Sequence, residues 1–127
     1  MNNTVQGVVV SHGDLAGALV GAVMKITGED GDLHAISNNK CSAESLAKRV
    51  AEAVGTKPTV VFVDLPSGSC IQAAARQMRA LPNVTVVTGV NLAMLIDFVY
   101  HRDSTTPSKA ADRAVDKGIH AIKPFAG

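Results

Sequence analysis

The stretch VVVSHGDLAGAL, residues 8–19, joins an apolar run to a polar turn and then to a second apolar pattern. The run contains β-branched residues and no apolar/polar alternation, which predicts a strand covered on both faces. After the turn, apolar residues recur at the spacing of one helix face. Those residues are Leu15, Leu19, Ala22, Val23 and Ile26. A buried strand followed directly by a helix is typical of an α/β domain.

The rest of the chain repeats this alternation. Predicted strands cover residues 5–10, 33–36, 59–63 and 84–88, with helical patterns after each and a fifth helix at the end. The sequence therefore predicts an α/β, doubly wound fold with a mostly parallel four-stranded sheet in the order 2-1-3-4 and helices on both faces. The tail IKPFAG could add a fifth, antiparallel strand at an edge, where proline is tolerated.

Several residues are suited to the ends of these helices. Gly28 would end the first helix, Ser42 and Asn91 would cap the second and fourth, and Pro107 would open the fifth. Asp14 is the expected cap of the first helix.

Length and composition narrow the classes of protein. The 127 residues suffice for one domain, expected to span 1–127, and 46% of them are apolar. A net charge of +1, aromatics at 3% and no basic run beyond two residues give no support to nucleic-acid binding. The absence of a signal peptide or a long apolar stretch favours a cytoplasmic protein.

The two cysteines, Cys41 and Cys70, form no C-x-x-C pattern, so a reducing compartment and no disulfide are expected. Cys70 follows the turn at residues 67–69 and would start the third helix. A thiolate is favoured at such a position, but a small side chain filling a tight space is the preferred interpretation.

The predicted strand order brings two polar residues to one crevice. His12 follows strand 1 and Asp64 follows strand 3, and these strands are neighbours in the order 2-1-3-4. A carboxylate that accepts from one ring nitrogen leaves the other as a nucleophile, a general base or a metal ligand. Ser67, Gly68 and Ser69 lead into the third helix, where backbone amides favour a phosphate. Together they favour phosphoryl transfer through a phosphohistidine.

Other chemistries find less support. One histidine and one aspartate without an obvious third ligand do not make a metal site, so no metal is expected. The G-x-S-x-G and G-x-x-x-x-G-K-[ST] patterns are absent, which leaves no support for a serine hydrolase or a nucleotide cofactor. His34, His101 and His120 are interpreted as surface residues.

Three segments carry a resemblance to a known family. VVVSHGDLAGAL, VVFVDLPSGS (residues 60–69) and VTGVNLAML (residues 87–95) resemble the signatures of the mannose-family enzyme IIA of the bacterial phosphoenolpyruvate:sugar phosphotransferase system. Two departures stand out: the common G-G-[ST]-P is here Ser67-Gly68-Ser69-Cys70, and the common N-[IL]-P-M has Ala93 in place of proline.

The resemblance implies a phosphocarrier. His12 would accept a phosphoryl group at Nε2 from the phosphocarrier HPr and pass it to a IIB protein, and Asp64 would orient the imidazole. Ser67, Gly68 and Ser69 would lie beside the phosphoryl group. The family's homodimers, which often exchange a C-terminal strand, imply a homodimer here, and the membrane components IIC and IID would be only indirect partners.

Two alternatives stay open at this point. The chain could be the phosphoryl donor of a dihydroxyacetone kinase, or a regulatory module whose phosphorylation state is detected by a partner. The sequence does not identify the sugar.

Overall fold

The structure, a computed structural model, describes residues 4–126 and contains four strands and five helices in that range. In chain order these are β1 (Gln6–Ser11), α1 (Leu15–Thr27), β2 (Leu33–Ser37), α2 (Ala43–Val54), β3 (Thr59–Val63), α3 (Ser69–Ala80), β4 (Val84–Thr88), α4 (Leu92–His101) and α5 (Pro107–His120). The four sheet strands and five helices that the sequence predicted are present, and the strand boundaries agree to within one residue.

The four strands form one parallel sheet in the order β2-β1-β3-β4, as predicted. Strand β1 is central, with Val8 opposite His34 of β2 on one side and opposite Val61 of β3 on the other. All six residues of β1 are buried. The carboxyl ends of β1 and β3 are therefore adjacent at one edge of the sheet.

Two apolar clusters, one on each face of the sheet, explain why the strands show no alternation. Val5 and Val9 pack with α1, α4 and α5, whereas Val8 and Val10 pack with α2 and α3. The two central strands, β1 and β3, thus bury successive side chains on opposite faces. Gly7 is required because a Cβ atom there would lie 2.5 Å from the Leu33 side chain.

Most of the predicted helix ends are confirmed. Ser42, Asn91 and Thr106 cap α2, α4 and α5, accepting from the backbone N–H of the residue three positions ahead. Gly28 ends α1 in a left-handed conformation. Asp14 occupies the N-cap position of α1 but makes no side-chain cap hydrogen bond. The buried Ser11 hydroxyl accepts from the Ala16 N–H instead, at 2.7 Å.

Two sequence expectations differ from the structure. The buried face of α1 is centred on Ala16 and Val23, so Leu15 and Ile26 are exposed rather than buried. The expected fifth edge strand is not formed by residues 122–126, which are exposed and carry no regular secondary structure. The last residue of the proposed strand, Gly127, lies outside the described residues.

No helix within residues 4–126 combines the length and apolar character needed to cross a bilayer.

Candidate active site at the carboxyl edge of the sheet

His12 and Asp64 meet as the topology predicted. The His12 ring Nδ1 lies 2.7 Å from Asp64 Oδ2, and the same oxygen accepts from the His12 backbone N–H at 2.9 Å. The second oxygen, Oδ1, accepts from the Leu65 backbone N–H at 3.0 Å. These three bonds orient the carboxylate and the imidazole relative to each other.

The charge of Asp64 determines which tautomer His12 adopts. Burial raises the pKa of Asp64, but the hydrogen bonds from the His12 backbone and ring and from the Leu65 N–H, with the attraction of a His12 charge, together hold it below 3.8. An ionised carboxylate only accepts hydrogen bonds. Nδ1 therefore carries the proton, and Nε2 of the neutral ring keeps a lone pair for a reacting group.

The His12 ring is open to a partner while its orienting carboxylate is not. The histidine side chain is 45% exposed and that of Asp64 only 10%. The turn between β1 and α1 passes through Gly13, which has a φ of +58°. The carbonyl of Gly13 accepts from the Ser37 hydroxyl at 2.7 Å, and its N–H donates to Asn38 Oδ1 at 3.3 Å.

The turn before α3 approaches the free nitrogen of His12. A Cβ atom added at Gly68 would lie 3.9 Å from Nε2, so the backbone of this glycine lies close to the ring. Gly68 has φ +98° and ψ −168°, a conformation that is essentially restricted to glycine. Ser67 and Ser69 are exposed on either side, and no hydrogen bond in the described part of the chain joins them to His12.

The amino end of α3 has unsatisfied backbone donors. Its N-cap, Gly68, has no side chain, whereas α2, α4 and α5 are each capped by a hydroxyl or an amide. The first N–H groups of a helix have no partner inside it and carry the positive end of the helix dipole. An anion on Nε2 of His12 would lie close to these groups.

A cleft of about 230 Å³ opens beside Gly68 and Ser69. Gln72 and Arg76 line it from α3, and Ala43 and Ala47 from α2. Arg76 lies 3.9 Å from Glu44, with both side chains well exposed. The sequence analysis did not single out Arg76, because it lies seven residues after Ser69, outside the turns that follow the strands.

Sequence reasoning also missed the position of Cys70. Its buried sulfur lies 3.9 Å from His12 Nδ1, so the crevice does contain a third group able to bind a metal. Burial and the negative charge of Asp64 raise the pKa of the Cys70 thiol. Cys70 is accordingly a buried thiol, as the preferred interpretation held. The negative charge of Asp64 disfavours the Cys70 thiolate, whereas the start of a helix was expected to favour it.

The turn that follows β4 is closed by contacts of Asn91. Asn91 Oδ1 accepts from the Met94 N–H at 3.1 Å, and its Nδ2 donates to the Gly118 carbonyl at 3.2 Å. Asn91 therefore joins α4 to α5.

The comparisons with known proteins agree with this geometry. The family model described as "PTS system fructose IIA component" matches residues 6–115. The chain belongs to this family. It is a component of a phosphoenolpyruvate-dependent sugar phosphotransferase system. No curated protein sequence matches the chain with statistical significance.

Solved structures show the same fold. The mannose/sorbose-specific IIA subunit of Enterococcus faecalis aligns with a TM-score of 0.86 at 23% identity, covering 98% of this chain and 96% of that one. Component EIIA of Streptococcus agalactiae aligns with a TM-score of 0.89 at 19% identity, covering 95% and 97%. The IIA protein associated with the fucose utilization operon of Streptococcus pneumoniae aligns with a TM-score of 0.80 at 19% identity, covering 95% and 93%.

Proposed function

We propose that the protein is a phosphocarrier that accepts a phosphoryl group from phospho-HPr on His12 Nε2 and passes it to a IIB protein. The observation that carries this proposal is the contact of Nδ1 with Asp64 at 2.7 Å, which leaves Nε2 unprotonated and facing the turn at Gly68. In the transfer, the bond between phosphorus and the donor nitrogen breaks as the bond to Nε2 forms. Asp64 stabilises the positive charge that develops on the ring.

The groups around Nε2 suit a protein that holds a phosphoryl group only moderately strongly. Backbone amides and the hydroxyls of Ser67 and Ser69 would stabilise the phosphoryl oxygens without a cation held against the ring. Arg76 lies farther along the cleft, in contact with Glu44. A phosphoryl group that is held only moderately can leave for the next protein.

The surface around the ring suits protein docking. Leu15 and Leu65 lie three residues and one residue from His12 and Asp64, and their side chains are 44% and 51% exposed. We expect HPr and the IIB protein to cover these leucines in turn. Met94, by contrast, is buried in the core. The relatives named for mannose/sorbose and for fucose are too distant to assign a sugar.

The experiment is phosphorylation by phosphoenolpyruvate, enzyme I and HPr. The wild-type protein should acquire an acid-labile, base-stable phosphate on His12, and His12→Ala should acquire none. His34→Ala is the matched control and should be labelled like the wild type. Undiminished labelling of His12→Ala would refute the proposal. Transfer from the labelled protein to a dihydroxyacetone kinase subunit, with none to IIB proteins, would favour the alternative acceptor.

A further inference from the structure

Three side chains that could each bind a metal ion, those of His12, Asp64 and Cys70, lie together at the carboxyl edge of the sheet. His12 Nδ1, Asp64 Oδ2 and Cys70 Sγ all lie within 4.8 Å of one another. Among residues 4–126 they form the one group of three such side chains that could hold a metal ion. They come from the ends of β1 and β3 and from the first turn of α3, so the fold itself brings them together.

This set of donors suits zinc. An imidazole nitrogen, a thiolate and a carboxylate oxygen are all ligands of Zn²⁺, and three protein ligands leave its fourth position for water. Around a tetrahedral zinc, with bonds of about 2.0–2.3 Å, the donors would lie roughly 3.3–3.6 Å apart. The present separations are 2.7 Å from Nδ1 to Oδ2 and 3.9 Å from Nδ1 to Sγ.

The required adjustments fall on the most exposed of the three groups. Cys70 is fully buried, and Asp64 Oδ1 is fixed by the Leu65 N–H at 3.0 Å. The His12 ring is 45% exposed and can turn without disturbing the core. Two ligands are thus positioned in advance, and the hydrogen bond to Oδ1 would orient the carboxylate that binds the metal.

We propose that His12, Asp64 and Cys70 bind a Zn²⁺ ion, and that zinc and a phosphoryl group exclude each other on His12. On binding, bonds form from Nδ1, Oδ2 and Sγ to zinc. The Sγ proton and the displaced waters enter the solvent, and the imidazole keeps one proton, which leaves Nδ1 and is replaced on Nε2 by exchange with water. An imidazole that gives its Nδ1 lone pair to a metal carries its proton on Nε2. That nitrogen then has no lone pair with which to attack phosphorus.

The second half of this proposal rests on the proposed phosphocarrier function, whereas zinc binding does not. His34 and Asp32 show what the third ligand adds. Their Nε2 and Oδ1 atoms are also 2.7 Å apart, but no group of three ligands forms around them in the described part of the chain. We expect no zinc binding there.

Cobalt(II) titration of the unphosphorylated full chain tests the site directly. Thiolate ligation of Co²⁺ gives an intense charge-transfer absorption in the near ultraviolet, which should appear with one equivalent of Co²⁺ and disappear on addition of Zn²⁺. Cys70→Ala should lose it, and the matched variant Cys41→Ala, which removes the other free thiol, should retain it. Asp64→Asn should weaken binding at least tenfold, and it serves as a second test if Cys70→Ala does not fold. An unchanged spectrum in Cys70→Ala, or no absorption in the wild type, would overturn the zinc site.

The exclusion is tested by phosphorylation with and without zinc, each variant serving as its own reference. Wild type and Cys41→Ala should lose most of their labelling at zinc concentrations that saturate the site, and Cys70→Ala should lose little. Equal inhibition of all three would place the effect of zinc on enzyme I or HPr and overturn the exclusion. If no chain is labelled even without zinc, the phosphocarrier function fails while the cobalt result still decides the metal site.

Discussion

Two histidine–aspartate pairs of this protein have the same separation and different surroundings. His12 and Asp64 lie 2.7 Å apart at the carboxyl edge of the sheet, and His34 and Asp32 lie 2.7 Å apart at its amino edge. The two histidines are equally exposed, at 45% and 46%. A short contact and an open imidazole therefore do not by themselves distinguish the histidine proposed to carry the phosphoryl group from one with no proposed role.

The differences lie in the carboxylate and in the free ring nitrogen. Asp64 is 10% exposed and accepts two bonds from His12, whereas Asp32 is 32% exposed and has Arg102 as a second neighbour at 4.0 Å. The proton donor in the first pair is Nδ1, which leaves Nε2 towards Gly68 and the uncapped end of α3. In the second pair the contact uses Nε2. What surrounds the free nitrogen, and not the pair itself, is the feature that indicates phosphoryl transfer.

The largest effect should come from changing the two carboxylates. Asp64→Asn keeps the shape but removes the charge that fixes the His12 tautomer, so the rate of phosphorylation by phospho-HPr should fall by about 10–100-fold. Asp32→Asn makes the same change in the other pair and should leave that rate within twofold of wild type. Single-turnover labelling with purified phospho-HPr measures both rates. Equal losses in the two variants would show that the carboxylate acts through general stability.

A smaller effect is expected from the glycine that approaches Nε2. Gly68→Ala places a side chain about 3.9 Å from Nε2 and forces a residue with a Cβ into φ +98°. Such strain costs of order 1–3 kcal/mol, and phosphorylation should also slow several-fold as the turn moves.

Gly55→Ala is the matched control, because Gly55 also has a positive φ, +57°, with no atom within 4 Å of an added Cβ. It should show a comparable loss in the free energy of unfolding, measured by urea denaturation, without the slower phosphorylation. Slower phosphorylation in both variants would mean that backbone strain alone is responsible.

The first pair could be predicted from sequence because topology determines it. Apolar runs of β-branched residues predict buried parallel strands, and the strand order then places residues after β1 and β3 side by side. His12 and Asp64 are the polar residues at those two positions. The second pair could not be predicted, since His34 and Asp32 meet through local geometry at the start of one strand.

Cys70 and α1 show where the sequence was insufficient. The rule that a helix start favours a thiolate takes no account of the burial and the neighbouring Asp64 charge that raise the pKa of Cys70. In α1, the predicted face included Val23, which is buried, but also Leu15 and Ile26, which are exposed, and it omitted the buried Ala16. The small side chain of Ala16 lets α1 pack closely, but a hydrophobic pattern built on large residues does not identify an alanine as buried.

The smallest effect concerns acid stability and tests the low pKa of Asp64. Because that pKa lies below 3.8 in the folded protein, the unfolded chain takes up the proton first as the pH falls. The stabilisation is therefore complete above the unfolded pKa and is lost as the pH falls through the folded one. The free energy of unfolding of wild type minus that of Asp64→Asn should therefore shrink as the pH falls below about 4.

Thr106→Ala serves as the uncharged control for this series. It removes the hydroxyl that caps α5 and should cost about 1 kcal/mol. Because no ionisable group is lost, its difference from wild type should stay constant over the same pH range in urea unfolding. If the Asp64→Asn difference is also constant, the bonds from His12 do not hold the carboxylate ionised. The charge of Asp64 would then no longer explain why Nε2 carries the free lone pair.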